Sequence, residues 1–373
     1  MLSDSSAVSG LSTPELAVNA IVASIDLHIP GELPSLPAAI AWVHDRVITM
    51  PHAVVRIRIA DGDYALGAGD EIIMRHPQGT QVQILGNLED PSRVRFRVAA
   101  SQSQHFLAVA NGYELGKLDG LTIEGTGGWL GHGAWDEYRR PYGCGVLNDG
   151  GGTVNVGSKV HIERMYYGLR AEKGGRIICD PGVRVNEAGD AGFHAFNGGH
   201  IEASRTVATN CAHASAGLGC GYLAELGGTI KAEFVESSGN ALAGVAAVSN
   251  GSVWAQNAKV RRNWRYGFWA ENQGHVIATS DGGQAEAAGN REGFRAGKGG
   301  TIECPGGLAH GNSRCGYAAN AGAIDATGAV AHENGSAASA VYGGVIYGLP
   351  QGRGNAQRSL ADATSIIGAD PLA

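Results

Sequence analysis

The sequence predicts an all-β protein: a right-handed parallel β-helix with three-strand rungs of about 23 residues and an N-terminal capping α-helix. The main observation is a recurring pattern, Gly-apolar-x-Ala-x-x-Gly-Gly-x-Ile, for example from Gly192 to Ile201. The second is glycine content, 59 of 373 residues. Copies of the pattern, strong or weak, begin at Gly145, Gly168, Gly192, Gly221, Gly244, Gly267, Gly293, Gly316 and Ala337.

Each copy alternates apolar and polar residues over short stretches. Phe193 and Ala195 alternate with polar residues, and so do Ile201 and Ala203. This period of two predicts strands, and the glycine pairs between the stretches predict turns. A helical repeat would need a segment of period 3.6 in every copy, and the sequence has none. Stacked rungs would bury the inward residues that one rung leaves exposed.

Composition and charge exclude several classes of protein. Hydrophobic residues make up 43% of the chain and mean hydropathy is −0.08, which is typical of a folded protein. A net charge of −7 argues against nucleic acid as a partner. No run of about 18 apolar residues occurs, so we expect no membrane insertion. The N-terminus has no basic segment followed by an apolar run, so we expect no secretory signal.

The pattern divides the chain into four parts. Residues 1–33 are expected to form an arm, 34–53 a capping helix, 54–349 the β-helix and 350–373 a tail. The helix is predicted from a possible N-cap at Ser35 and from an apolar face. That face comprises Leu36, Ile40, Val43 and Val47.

Asparagine recurs near one corner of the rungs. If the residues stack there, their amides would hydrogen-bond up and down the column, although asparagine is also common in turns. The residues are Asn240, Asn263, Asn290, Asn312 and Asn334.

The six cysteines are predicted to be free thiols. Cys179 and Cys304 fall at an inward position and are expected to be small buried hydrophobes. Cys144, Cys220 and Cys315 share a column but lie in non-adjacent rungs, too far apart for a disulfide. Cys211 and Cys220 form the only plausible pair. No Cys/His spacing is typical of zinc, so neither metal nor cofactor is expected.

The chain resembles the pectin-lyase-like β-helix proteins, and more closely the tail spikes and tail fibres of bacteriophages and prophages. The segments that carry the resemblance are the N-terminal helix, 55–64, 83–87, 118–125 and the glycine rungs. The resemblance implies a virion protein that binds host surface polysaccharide, often as a homotrimer with other tail proteins as partners. The fold also carries polysaccharide lyases and hydrolases, so a depolymerase is the alternative, and a structural virion protein without glycan affinity is a third.

A ligand is expected at one edge of the solenoid, where insertions collect. Three extensions, 125–143, 211–220 and 284–292, are predicted to project from the same edge. Aromatic rings there would face sugars and arginines would pair with acidic groups, although the same residue types also form subunit interfaces or pack a loop. The candidate binding residues are Trp129, Trp135, Tyr138, Arg139, Arg140, Tyr142, Trp264 and Tyr266.

Catalytic candidates come from two places. Asp149 and Glu172 occupy the same position in adjacent rungs, and Arg170 and His194 project from the same sheet. Glycoside hydrolysis needs two nearby carboxyl groups, and lyase chemistry needs a base and a cation. Carboxylates on a strand also simply keep a solenoid soluble. The second candidate set, in the first extension, is His132, Asp136 and Glu137.

Three histidines at outward strand positions are expected to be solvated surface residues. They are His194, His200 and His275.

Overall fold

The computed structural model describes residues 19–67, 69–99, 104–126, 143–212, 219–279 and 283–369. The chain is a right-handed parallel β-helix, as the glycine repeat predicts. In these residues it forms three long parallel sheets, here called sheets 1, 2 and 3, of 14, 11 and 12 strands. From the repeats onward each rung runs from sheet 3 to sheet 1 and then to sheet 2.

The strand bounds are as follows. Sheet 1 contains β2 (Ile25–Ile29), β4 (Val55–Ile59), β7 (Val82–Leu85), β10 (Leu115–Asp119), β13 (Thr153–Val156), β16 (Arg176–Cys179), β19 (His200–Glu202), β22 (Thr229–Lys231), β25 (Ser252–Trp254), β28 (His275–Ile277), β31 (Thr301–Glu303), β34 (Ala323–Asp325), β37 (Val345–Tyr347) and β39 (Ile366–Ala369). Sheet 2 contains β5 (Gly62–Leu66), β8 (Val94–Val98), β11 (Leu121–Gly125), β14 (Val160–Glu163), β17 (Arg184–Asn186), β20 (Val207–Thr209), β23 (Glu236–Ser238), β26 (Lys259–Arg261), β29 (Glu286–Ala288), β32 (Leu308–His310) and β35 (Val330–His332). Sheet 3 contains β6 (Ile72–Met74), β9 (Leu107–Ala110), β12 (Cys144–Asp149), β15 (Tyr167–Glu172), β18 (Ala191–Phe196), β21 (Cys220–Glu225), β24 (Ala243–Val248), β27 (Tyr266–Glu271), β30 (Glu292–Gly297), β33 (Cys315–Asn320), β36 (Ser336–Val341) and β38 (Gln357–Ala361).

The N-terminal end is covered by one helix, α1 (Leu36–His44). The Ser35 hydroxyl caps it by accepting a hydrogen bond from the Ala38 backbone N–H. The helix is shorter than the apolar spacing predicts, because Val47 belongs to a short parallel pair, β1 (Ala20–Ile21) with β3 (Val47–Ile48). Two short 3-10 turns, Gly79–Gln81 and Pro91–Arg93, complete the elements. No helix in the described ranges is long and apolar enough to span a membrane.

The sheets extend beyond 54–349 at both ends. Strand β2, within the expected arm, pairs with β4. At the other end, β38 and β39 pair with β36 and β37, so the expected tail adds strands to sheets 3 and 1. Both segments lack the glycine repeat, which is why the sequence pattern missed them.

The core is a set of stacked columns. Inside sheet 3, aromatic rings lie face to face: the Phe268 and Phe294 centroids are 4.6 Å apart, and those of Phe294 and Tyr317 are 5.0 Å apart. In the same rungs, the inward residues of sheet 2 are small, such as Ala287 and Ala309. The core therefore combines a column of large rings inside sheet 3 with a column of alanines inside sheet 2. Rungs of similar composition therefore stack without gaps.

Two glycines show why the corners require this residue. Gly227 has φ +75°, a backbone conformation that side chains disfavour. A Cβ on Gly228 would lie 2.1 Å from the carbonyl oxygen of Ala195 in the preceding rung. The first glycine thus turns the chain and the second allows close stacking of the rungs.

The predicted asparagine column is confirmed. From Asn263 onward, each side-chain oxygen accepts hydrogen bonds from the backbone N–H and the side-chain amide of the preceding asparagine, whereas the Asn240 oxygen accepts from the Cys211 backbone N–H. From Asn240 to Asn263 these are 3.0 and 2.8 Å. The ladder continues through Asn290, Asn312 and Asn334 and ends on Asn355, which the sequence analysis did not include.

The extensions leave from two edges, not one. The bounds of β11 and β12, and of β20 and β21, place the first two between sheets 2 and 3. The additional residues of the third rung lie between β28 and β29, hence between sheets 1 and 2. The prediction of one shared edge is therefore wrong for the third, because sequence length alone does not show which corner holds an insertion.

Candidate functional site

A groove of about 690 Å³ lies on the outer face of sheet 3. Strands β12, β15, β18, β21, β24 and β27 form its floor, so successive rungs contribute equivalent positions. The outward residues form three columns, which start at Cys144, Leu147 and Asp149 on β12. The first two columns carry mainly apolar and aromatic side chains, and the third carries most of the carboxylates.

Asp149 and Glu172 face the groove from adjacent strands and are paired in register. The Lys173 ammonium bridges them, 2.9 Å from Asp149 Oδ1 and 3.5 Å from Glu172 Oε1. The Lys173 side chain is 57% exposed, whereas Glu172 is 14% exposed. The structure thus brings together the two carboxylates that the sequence placed in adjacent rungs. The exposed side chain of Lys173 contacts both of them.

Arg170 lies beneath this pair. Its Nε donates to Glu172 Oε2 at 2.8 Å, and its guanidinium contacts the rings of Tyr167 and Phe196 at 4.7 and 4.6 Å from their centroids. The side chain is 12% exposed. The two rings keep the guanidinium at the base of the groove, where it pairs with the Glu172 carboxylate.

His194 is buried, which corrects the prediction of a solvated side chain. It is 2% exposed, because Tyr167 and Phe196 pack on its ring with centroids 4.8 and 5.5 Å away. Its Nε2 lies 3.5 Å from Glu225 Oε2, and this neighbour lowers the pKa of the Glu225 carboxyl. His200 and His275, on sheet 1, are about one-third exposed.

Two further groups shape one side of the groove. Burial raises the pKa of the Tyr167 phenol well above its usual range, and the nearby Asp190 carboxylate acts in the same direction. Burial also lowers the pKa of His105, which accepts a hydrogen bond from the Cys144 N–H at Nδ1 (3.0 Å). Both groups are therefore neutral near pH 7.

The sequence analysis missed some of these residues for identifiable reasons. His105 precedes the regular repeats, and Asp190 lies directly before a strand rather than within it, so neither belongs to a recurring position. Tyr167 is not among the candidates that the sequence pattern predicts. Its 5% exposure and contacts with Arg170 and His194 depend on stacking between rungs.

The structure describes two of the predicted binding residues, Trp264 and Tyr266. Trp264 is 59% exposed, while Tyr266 packs against Trp269 with ring centroids 5.5 Å apart. Trp269 also lines the groove. The remaining candidates lie outside the described residues: Trp129, His132, Trp135, Asp136, Glu137, Tyr138, Arg139, Arg140 and Tyr142.

The thiol prediction is confirmed. All six cysteines are buried and none of them forms a disulfide, including the Cys211 and Cys220 pair. Cys179 and Cys304 lie in the core, as expected. Burial raises the pKa of each thiol, so none is a reactive thiolate near pH 7. Within the described ranges, no three His, Cys, Asp or Glu side chains are grouped as metal ligands.

Comparison with known proteins gives a limited result. No protein-family model matches the sequence, and no curated protein matches it significantly. Among solved structures, the periplasmic alginate epimerase AlgG and an amino-acid variant of it are similar, with TM-scores of 0.43 and 0.45 and identities of 11% and 12%. Each similarity covers 93% of this chain and 85% of the AlgG chain. A likeness of this size carries no information about activity.

Proposed function

We propose that this protein is a polysaccharide hydrolase whose substrate lies along the groove of sheet 3. The observation that carries the proposal is the in-register pair Asp149 and Glu172, which open into one groove and share the Lys173 ammonium. Adjacent strands of a sheet are about 4.8 Å apart. That spacing suits the two carboxyl groups of a retaining glycosidase, which are about 5 Å apart.

The charges in the groove favour hydrolysis over elimination. A lyase that acts on uronates needs a cation available to the substrate carboxylate. Among the described residues that line the groove, the one guanidinium is that of Arg170, and it is already paired with Glu172 and enclosed by two rings. The same set of lining residues includes four carboxylates: Asp149, Glu172, Asp190 and Glu225.

The surroundings of each carboxyl group assign its role. Arg170 fixes the position of Glu172 by a hydrogen bond from the same strand, so we assign Glu172 as the nucleophile that attacks the anomeric carbon. Asp149 contacts the exposed Lys173, which an entering glycan displaces. Lys173 is the only ion-pair partner of Asp149 among the described residues, so we assign Asp149 the role of general acid and base. Asp149 then protonates the leaving oxygen and later removes a proton from the water that releases the product.

Two substitutions test the pair. Asp149→Asn and Glu172→Gln should each lower the release of reducing ends by at least about 100-fold. The assay offers five polysaccharides as substrates: dextran, galactomannan, chitosan, polygalacturonate and alginate. Glu271→Gln is the matched control, because Glu271 occupies the same column and pairs with an exposed lysine, Lys298, at 2.8 Å. Full activity in either groove variant, or release of unsaturated ends, would exclude this mechanism.

A second candidate is a phage tail spike or fibre that binds host glycan without cleaving it, as a homotrimer on the virion. It is favoured by exposed tryptophans outside the groove, Trp254 and Trp264, which are 38% and 59% exposed. Exposed aromatics of this size are typical of glycan-binding and subunit surfaces. Glycan-array binding without hydrolysis, together with a trimer mass by light scattering, would favour this candidate over the hydrolase.

A further inference from the structure

In the part of the groove beyond Glu172, the Glu225 carboxylate forms no direct ion pair with an arginine or lysine of the described residues. Glu225 lies two strands from Glu172 in the same column, with Phe196 between them. Among the described residues, Glu225 makes an ion contact only with His194. Asp190, 8% exposed, lines the groove nearby beside Tyr167. A second acidic patch therefore adjoins the proposed catalytic pair.

His194 gives an independent indication of a ligand at this patch. It is 2% exposed and lines the groove, yet Nδ1 has no hydrogen-bond partner within the described part of the chain, and Nε2 has only the 3.5 Å ion contact with Glu225 Oε2, which does not meet hydrogen-bond geometry. Buried polar groups without partners are costly, by about 1–3 kcal/mol each, so they are usually satisfied by a ligand or by water. A neutral imidazole can donate one hydrogen bond and accept another.

We infer that the patch of Glu225, Asp190 and His194 selects a glycan that carries free amino groups, and disfavours polyuronates. The inference deepens the proposed function and rests on the groove being the glycan site. An ammonium on the sugar would pair with the Glu225 carboxylate, which is about one-third exposed. A uronate at the same place would meet a like charge. N-acetylation removes the positive charge and leaves only neutral hydrogen bonds.

Binding by isothermal titration calorimetry tests the inference on the full chain. The probes are hexamers of glucosamine, N-acetylglucosamine and galacturonate, at about pH 5.5, where ordinary carboxyl groups are ionised. We expect glucosamine hexamer to bind at least about tenfold more tightly than the acetylated hexamer, and galacturonate hexamer to bind most weakly. Glu225→Gln should lower the affinity for glucosamine hexamer by about five- to tenfold and leave the acetylated hexamer unchanged.

Glu271→Gln is again the control, since it removes one carboxylate from the same column outside the groove lining. It should keep the wild-type preference. Galacturonate binding that equals or exceeds glucosamine binding would overturn the inference, and so would an amine preference that persists in Glu225→Gln. Either result leaves the proposed hydrolase standing if cleavage still depends on Asp149 and Glu172. Conversely, a preference for the amine-bearing hexamer without any cleavage would support the inference and exclude the proposed hydrolase activity.

Discussion

Arg170 donates a hydrogen bond from Nε to Glu172 Oε2 at 2.8 Å, and its Nη2 forms an ion pair with the same oxygen at 2.6 Å. The two side chains come from one strand, two residues apart, and both are less than 15% exposed. The rings of Tyr167 and Phe196 contact the guanidinium. The carboxylate proposed as nucleophile is thus fixed by its own strand and by the strand that follows.

Arg170→Met should destabilise the protein by about 2–3 kcal/mol, because it leaves Glu172 poorly solvated without its counter-ion. Urea unfolding at pH 7 measures this. Arg176→Met is the control, since the Arg176–Glu202 pair is 47% and 34% exposed and should contribute less than about 1 kcal/mol. Adding Glu172→Gln to Arg170→Met should recover part of the loss. Equal losses at Arg170 and Arg176 would contradict a buried pair.

The sequence was sufficient to predict the repeated part of the fold. Glycine corners, alternating strands and the asparagine column recur with a period that only stacked rungs satisfy, so local pattern and global fold agree. The register of Asp149 with Glu172 followed directly from that period. Strand β2 was not predictable in this way, because it pairs with β4 without carrying the repeat.

The environment of each groove residue could not be predicted, because it depends on side chains from neighbouring rungs. His194 sits at an outward position, which normally means exposure, but Tyr167 from the strand before and Phe196 on its own strand cover it. Alternation along one strand gives only the face on which a residue lies. Burial on an outer face requires large neighbours in adjacent rungs.

Asn290→Ala should cost about 3 kcal/mol or more. The Asn290 side-chain oxygen accepts from both the backbone N–H and the side-chain amide of Asn263, at 2.9 and 3.0 Å, and all of these groups are buried. Alanine leaves two donors without an acceptor, at about 1–3 kcal/mol each. Asn355→Ala, at the half-buried end of the ladder, should cost less by urea unfolding. Similar small losses at both sites would show that water replaces the ladder.

Trp264→Ala should change the unfolding free energy by less than about 1 kcal/mol, because the ring is 59% exposed. Trp269→Ala should cost more, since that ring packs on Tyr266 and lines the groove. The comparison separates a recognition residue from a packing residue. If Trp264→Ala weakens glycan binding on an array while its stability stays at the wild-type value, the second candidate function gains support. A large stability loss would instead place Trp264 in intrachain packing.

His105 should make stability depend on pH in a defined direction. Burial lowers its pKa in the folded state, although Glu71, 3.6 Å away, opposes this, and the neutral ring accepts the Cys144 N–H. As pH falls below about 6.5, the unfolded chain takes up the proton first, so the unfolding free energy decreases until the folded pKa is passed. The slope from this one group is at most about 1.4 kcal/mol per pH unit. Urea unfolding between about pH 7.5 and 5.5 should therefore show a smaller loss for His105→Gln than for wild type, since glutamine keeps an acceptor but does not titrate. Parallel losses in the two proteins would mean that His105 titrates alike in the folded and unfolded chains.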